Sequence, residues 1–81
     1  MDLQKRIYAL LIGVNDFPLK DKRDVLEFLE HDEWGVAFEV MCSVIEQENL
    51  SIDNERYKDI EEIGIHMEMD EELWTVLKPI K

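Results

Sequence analysis

The stretch EHDEWGVAFEVM, residues 30–41, sets the carboxylates of Glu30, Asp32 and Glu33 beside the indole of Trp34, with no lysine or arginine nearby. Acids this close can perform general acid–base chemistry when burial and mutual repulsion drive two carboxyl pKa values apart, leaving one proton donor and one acceptor. That chemistry needs a pocket. A turn between two helices instead leaves carboxylates in water as ordinary ionised acids, and a bundle of this length has little room for a deep cleft. A small hydrolase built on Glu30 and Glu33 would require at least one strongly shifted carboxyl pKa. The expectation is a charged surface rather than a catalytic pair.

Other reactive side chains are sparse. His31, Cys42 and His66 are the only soft or borderline metal ligands, and they lack the close paired spacing of zinc sites. The segment DNERYKDIEE is rich in oxygens but has neither the glycine nor the terminal acid of a calcium loop. Ser51 and Thr75 have no suitably spaced histidine, and no glycine-rich phosphate loop occurs. No metal, no cofactor and no enzymatic activity are expected.

Charge carries more information. Twenty acids face nine bases, a net charge of −11 over 81 residues, which disfavours direct contact with the phosphate backbone of nucleic acid. Between Asp24 and Glu55 there are ten acids and no lysine or arginine, so ten of the eleven excess negative charges fall in that stretch. Acidic surfaces aid solubility in general. A clustered single-sign field also accelerates encounter with a basic partner, by about 10 to 10³-fold. The candidate contact residues are Glu30, Asp32, Glu33 and Glu39, with Trp34 as an aromatic anchor.

Apolar spacing sets out the helices that carry these residues. Leu3, Ile7, Leu10, Leu11 and Val14 predict a first helix over about 2–13, ended by GVNDFPL, whose Pro18 permits a new start. A second helix is expected over 19–30, with Val25, Phe28 and Leu29 inward and Leu26 beside them. The third, over 33–48, has Trp34, Ala37, Phe38, Met41, Val44 and Ile45 at helical intervals, with Val36 and Val40 widening its apolar surface. This reads as the central helix, and Asp32 as its amino-terminal cap. Asp53 should cap a fourth helix whose inner face is Tyr57, Ile60, Ile63, Gly64 and Met67, with Gly64 marking a close helix crossing. Ile52 and Tyr57 form one hydrophobic staple, and Met69 and Trp74 another. Asp70 should cap a short fifth helix that Pro79 ends. No strand alternation occurs. The expectation is an all-α bundle of five helices, the last one short, forming a single domain over 1–81 in which short connections make consecutive helices near-antiparallel neighbours.

With 46% hydrophobic residues the chain can bury a continuous interior, and a lone cysteine excludes an internal disulfide. No apolar run approaches membrane-spanning length, and the opening MDLQKRIYALLIGVNDF does not read as an export leader. No membrane association is expected, and the cytoplasm is the expected location.

The stretch from Val25 to Leu77 resembles the small MafI-type immunity proteins that accompany nuclease toxins of bacterial contact-dependent and related competition systems. Those proteins carry an EHGE-type turn at a helix end, a long helix of A/F-E-x-x-C type, and a tail M-x-x-D-x-x-L-W-x-x-L. Here the corresponding stretches read EHDEWGVAFEVMC at 30–42 and MEMDEELWTVL at 67–77, with Asp32 where glycine is common. The resemblance implies a cytoplasmic helical protein that binds a cognate toxin domain, a basic nuclease, and occludes its active site without chemistry of its own. A second reading of the same charge is an acidic nucleic-acid mimic or adaptor that blocks a DNA-binding partner.

Overall fold

In the computed structural model, which describes residues 2–79, five helices follow one another: α1 (Leu3–Gly13), α2 (Leu19–Glu30), α3 (Trp34–Gln47), α4 (Asn54–His66) and α5 (Glu72–Thr75). The all-α architecture expected from periodicity is present, with no strand among the described residues and a last helix of a single turn. Met1, Ile80 and Lys81, which the single-domain expectation includes, lie outside the described residues.

Helix starts follow local chemistry. Asp2 accepts a hydrogen bond from the Lys5 N–H at 3.1 Å and Asp53 accepts from the Arg56 N–H at 2.8 Å, each satisfying a donor that the first turn leaves unpaired. At α5 Glu71, not Asp70, holds the cap position and makes no side-chain capping bond, while the Asp70 carboxylate just before it accepts from the Glu72 N–H at 3.0 Å. Pro18 precedes α2 without any side-chain cap.

Helix ends follow a shared device. After α2, α3 and α4 the chain turns through Asp32, Asn49 and Glu68, whose φ values are 60°, 53° and 55°. Behind each runs the same pair of backbone bonds. At the first, Asp32 N–H donates to the Leu29 carbonyl and Glu33 N–H to the Phe28 carbonyl; Asn49 and Leu50, then Glu68 and Met69, repeat the pattern. This is the Schellman closure, normally built around glycine because other residues resist the left-handed region. Here three non-glycine residues occupy it.

That geometry corrects one expectation. Asp32 closes α2 rather than capping α3: Glu33 occupies the cap position of α3, and its side chain makes no capping hydrogen bond. With the Asp32 backbone in the left-handed region, its carboxylate bonds none of the first N–H groups of α3.

The core gathers Ile7, Leu10 and Leu11 of α1, Val25 and Leu29 of α2, Ala37, Phe38, Met41, Cys42, Val44 and Ile45 of α3, Ile60 and Ile63 of α4, and Trp74 and Leu77 at the tail. Phe17, in the α1–α2 connection and unassigned by periodicity, is also buried. Phe28 is only half-buried, and Val36 is 42% exposed rather than part of the apolar face. The neighbour rule holds for α1 with α2 and α2 with α3 but fails at the third connection. There α4 packs on α1 and α5 instead of on α3. The 48–53 connection is long enough to step across, and its half-buried Leu50 and Ile52 pack against the core on the way.

Gly64 is the closest crossing. A β-carbon built there would overlap the Trp74 ring, lying 2.7 Å from Cη2, so only glycine lets α4 accept the indole. On its other side Trp74 meets Phe38 edge-to-face, with ring centroids 6.3 Å apart. The indole thereby joins α3, α4 and α5.

Candidate functional site: an acidic turn between the second and third helices

The charges of α2 run against its own dipole. Lys20, Lys22 and Arg23 sit in its amino-terminal half with Asp21 and Asp24, while the carboxyl-terminal half carries Glu27 and Glu30 and no base. A helix end is negative where its carbonyls point outward, so an acid there is unfavourable by about 0.3 to 1 kcal/mol. The carbonyls are partly satisfied, since Gln4 Nε2 donates to the Leu29 oxygen at 3.4 Å. No positive side chain meets the acids.

The structure brings Glu30, Asp32 and Glu33 together at this turn, all three exposed. The positive end of α3 begins here as the negative end of α2 finishes, so the two dipole ends largely offset each other and leave three carboxylates uncompensated. Among the described residues none of them takes part in an ion pair. The side-chain ion pairs among the described residues are Arg6 with Asp59 and Glu62, at 3.0 and 2.9 Å, and Arg56 with Asp53 at 2.8 Å. All of these lie on the α1–α4 side.

Trp34 opens α3 beside the turn, half-buried against the core, and its Nε1 is shielded from solvent without a hydrogen-bond partner. Such an orphan donor carries a penalty of about 1 to 3 kcal/mol. Glu39 is exposed, but it is five residues along α3 from Trp34, which at about 100° per residue places it on a different face. The turn therefore unites Glu30, Asp32, Glu33 and the edge of Trp34, and leaves Glu39 apart. What Glu39 does is internal: burial, reinforced by its negative charge, pushes the Cys42 thiol from 9.0 up to about 12. Cys42 is thus an inert core residue.

His31 and His66 are both exposed, at the ends of different helices, and among the described residues no group of three or more His, Cys, Asp or Glu converges as metal ligands. No charged side chain among the described residues is buried. The three exposed carboxylates supply fixed negative charge at the turn.

Sequence periodicity passed over one feature at this end of the molecule. A groove of about 420 Å³ runs between α1 and α2, lined by Gln4, Lys5, Tyr8, Leu26, Leu29 and Glu30. The signal available was an apolar residue on the outer side of α1: Tyr8 and Ile12, one turn apart, are each 51% exposed. No helix among the described residues is long and apolar enough to cross a membrane. No family model, curated protein or solved structure matches this chain.

Proposed function

We propose that the chain is an immunity protein that binds a cognate interbacterial toxin in the cytoplasm and occludes its basic active-site cleft, the toxin being a nuclease. The observation that carries this reading is the uncompensated acidic turn. Glu30 works against the dipole of α2, and among the described residues no ion pair offsets Glu30, Asp32 or Glu33. Features unfavourable to the isolated fold are expected where a surface serves a partner.

A nuclease supplies the complementary surface, because a cleft that binds phosphates must be cationic. The resemblance of residues 25–77 to MafI-type immunity proteins supports the same reading. A standard interface uses about 800 Å² per partner, roughly one-seventh of the 5469 Å² that the chain exposes. In that interface two or three desolvated carboxylates decide affinity, while the remaining acids speed association. Glu33 and Glu30 are the leading contacts, with Trp34 as a packed aromatic neighbour and Glu39 contributing through the long-range field.

The test is protection. Cells producing the product of the adjacent upstream gene are co-supplied with the native chain or with a Glu30→Lys, Asp32→Lys, Glu33→Lys variant. The reading requires loss of protection by the variant and a native affinity that falls steeply with added salt. Equal protection by both chains would refute the acidic-turn interface.

A further inference from the structure

The groove between α1 and α2 shares Glu30 with the acidic turn, so the charged and apolar surfaces are continuous. Resting on the reading of the chain as a toxin-binding protein, we infer that this groove seats a basic amphipathic helix of the partner, whose aliphatic side chains enter between Tyr8 and Leu26 while its cations meet Glu30 and Glu33.

Three observations lead to that occupant. The floor and one wall are apolar, formed by Leu29, half-buried Leu26 and the Tyr8 ring, and Ile12 extends the exposed apolar row one turn along α1. A trough between two helices is the shape that receives a third, and apolar anchors at helical spacing are how such helices dock. Glu30 lines the groove and its sequence neighbours Glu27, Asp32 and Glu33 are exposed; among the described residues none of the four is ion-paired, and Lys5, the single cation of the lining, makes no ion pair with Glu30. Charge complementarity therefore selects a basic segment. It also selects against a second copy of the chain, since each copy carries −11. The groove of about 410 Å³ between α3 and α5 differs in kind, because Ser43, Glu46, Asp70 and Glu72 make most of its lining polar.

Tyr8 is the residue on which the proposal turns. Its ring is large, rigid and half out in water, and such aromatic anchors dominate interface energetics. Because the side chain is exposed, replacing it leaves the core untouched.

The experiment uses the isotopically labelled full chain and two synthetic peptides of equal charge. One alternates lysine pairs with leucine pairs, and the other has serine in place of each leucine. The expected result is that the leucine peptide shifts the amide signals of Gln4, Tyr8, Leu26, Leu29 and Glu30, and that Tyr8→Ser weakens it by about tenfold, as for a lost anchor. The serine peptide should bind more weakly and be indifferent to Tyr8→Ser. Equal binding of both peptides, or shifts confined to other faces, would overturn the groove. A dimer in sedimentation that Tyr8→Ser dissolves would overturn it too, by making a second copy the occupant.

The same variants separate this proposal from the one beneath it. If Tyr8→Ser keeps full affinity for the upstream gene product while charge reversal of Glu30 and Glu33 abolishes it, the groove fails and the acidic interface stands. If charge reversal changes nothing, both fail.

Discussion

Helices α2 and α4 are nearly equal in length, yet they treat charge in opposite ways. On α4, Asp53 caps the amino end, Glu55 sits in the first turn and His66 in the last, all in the sense that the dipole favours. Its Asp59 and Glu62 are met by Arg6 from α1. On α2 all three bases lie in the amino-terminal half, the carboxyl-terminal half carries only the acids Glu27 and Glu30, no side chain caps the start, and among the described residues nothing pairs with Glu30. One helix is arranged for the stability of its own fold. The other leaves part of its charge unsatisfied, which is the arrangement expected when a partner supplies the missing cations. Under the proposed function, charge on α4 serves structure and charge at the end of α2 serves the partner.

The largest effects are expected on the α4–α5 side, where substitutions probe the stability half of that contrast. Trp74→Ala removes a buried indole at the meeting of three helices and should lower stability by about 3 to 5 kcal/mol in urea unfolding. Gly64→Ala, which drives a methyl into the same ring, should cost roughly 1 to 3 kcal/mol. Neither change touches the acidic turn. Their effect on partner binding should be accounted for by the unfolded fraction alone, as read by titration calorimetry below the melting temperature.

At the acidic turn the expected pattern inverts. Reversing Glu30 and Glu33 should cost about 2 to 5 kcal/mol of partner affinity while the melting temperature holds or rises. A loss of affinity without a loss of stability is the signature that separates the two ends of the molecule.

Cys42, on the buried face of α3, gives a pH-dependent measure of the core. Its native pKa is raised from 9.0 to about 12 by burial first and by Glu39 second. The unfolded chain therefore releases this proton near pH 9 while the folded chain keeps it, so stability falls as pH rises from 9 toward 12, by up to about 1.4 kcal/mol per pH unit. Cys42→Ala should flatten that part of the pH–stability curve. Thiol alkylation at pH 8 should be slow until denaturant is added.

Two smaller changes extend the contrast with gains in stability. Asp32→Gly relieves the left-handed backbone at φ 60° but adds chain freedom to the unfolded state, so its net gain in thermal melts should be below about 1 kcal/mol. If Asp32 also meets a cation, the same substitution weakens binding. Gly35 has open space where a β-carbon would go, so Gly35→Ala should add about 0.5 to 1 kcal/mol through helix propensity.

Much of this fold was legible in the chain, because the apolar spacing of Ile7–Leu11, Ala37–Ile45 and Ile60–Gly64 states which side of each helix faces in. Asp53 was recognisable as a cap from its residue type and from the Ile52 and Tyr57 pair that flanks it, and Gly64 as a crossing from its place on an otherwise apolar face. Helix closures were harder to read. Asp32, Asn49 and Glu68 adopt a glycine-like conformation, which Asp and Asn tolerate and Glu does not advertise; Asp is equally a good amino-terminal cap, which is why Asp32 looked like the cap of the next helix. The placement of α4 on α1 depends on tertiary packing across the 48–53 connection, and local pattern does not encode it. For the candidate site, the clustering of Glu30, Asp32 and Glu33 was visible as a run of letters. The separation of Glu39 from Trp34 follows from helical angle. The groove beside Tyr8 was not visible, because it exists only once α1 and α2 are laid side by side.

The most direct measurement is a paired one on Glu30→Gln, Asp32→Asn, Glu33→Gln: its melting temperature, and its affinity for the proposed toxin partner, both against the native chain. The expected outcome is an unchanged or higher melting temperature together with an affinity at least about tenfold weaker. A lower melting temperature with affinity intact would show that these carboxylates hold the fold together, and that the partner binds elsewhere.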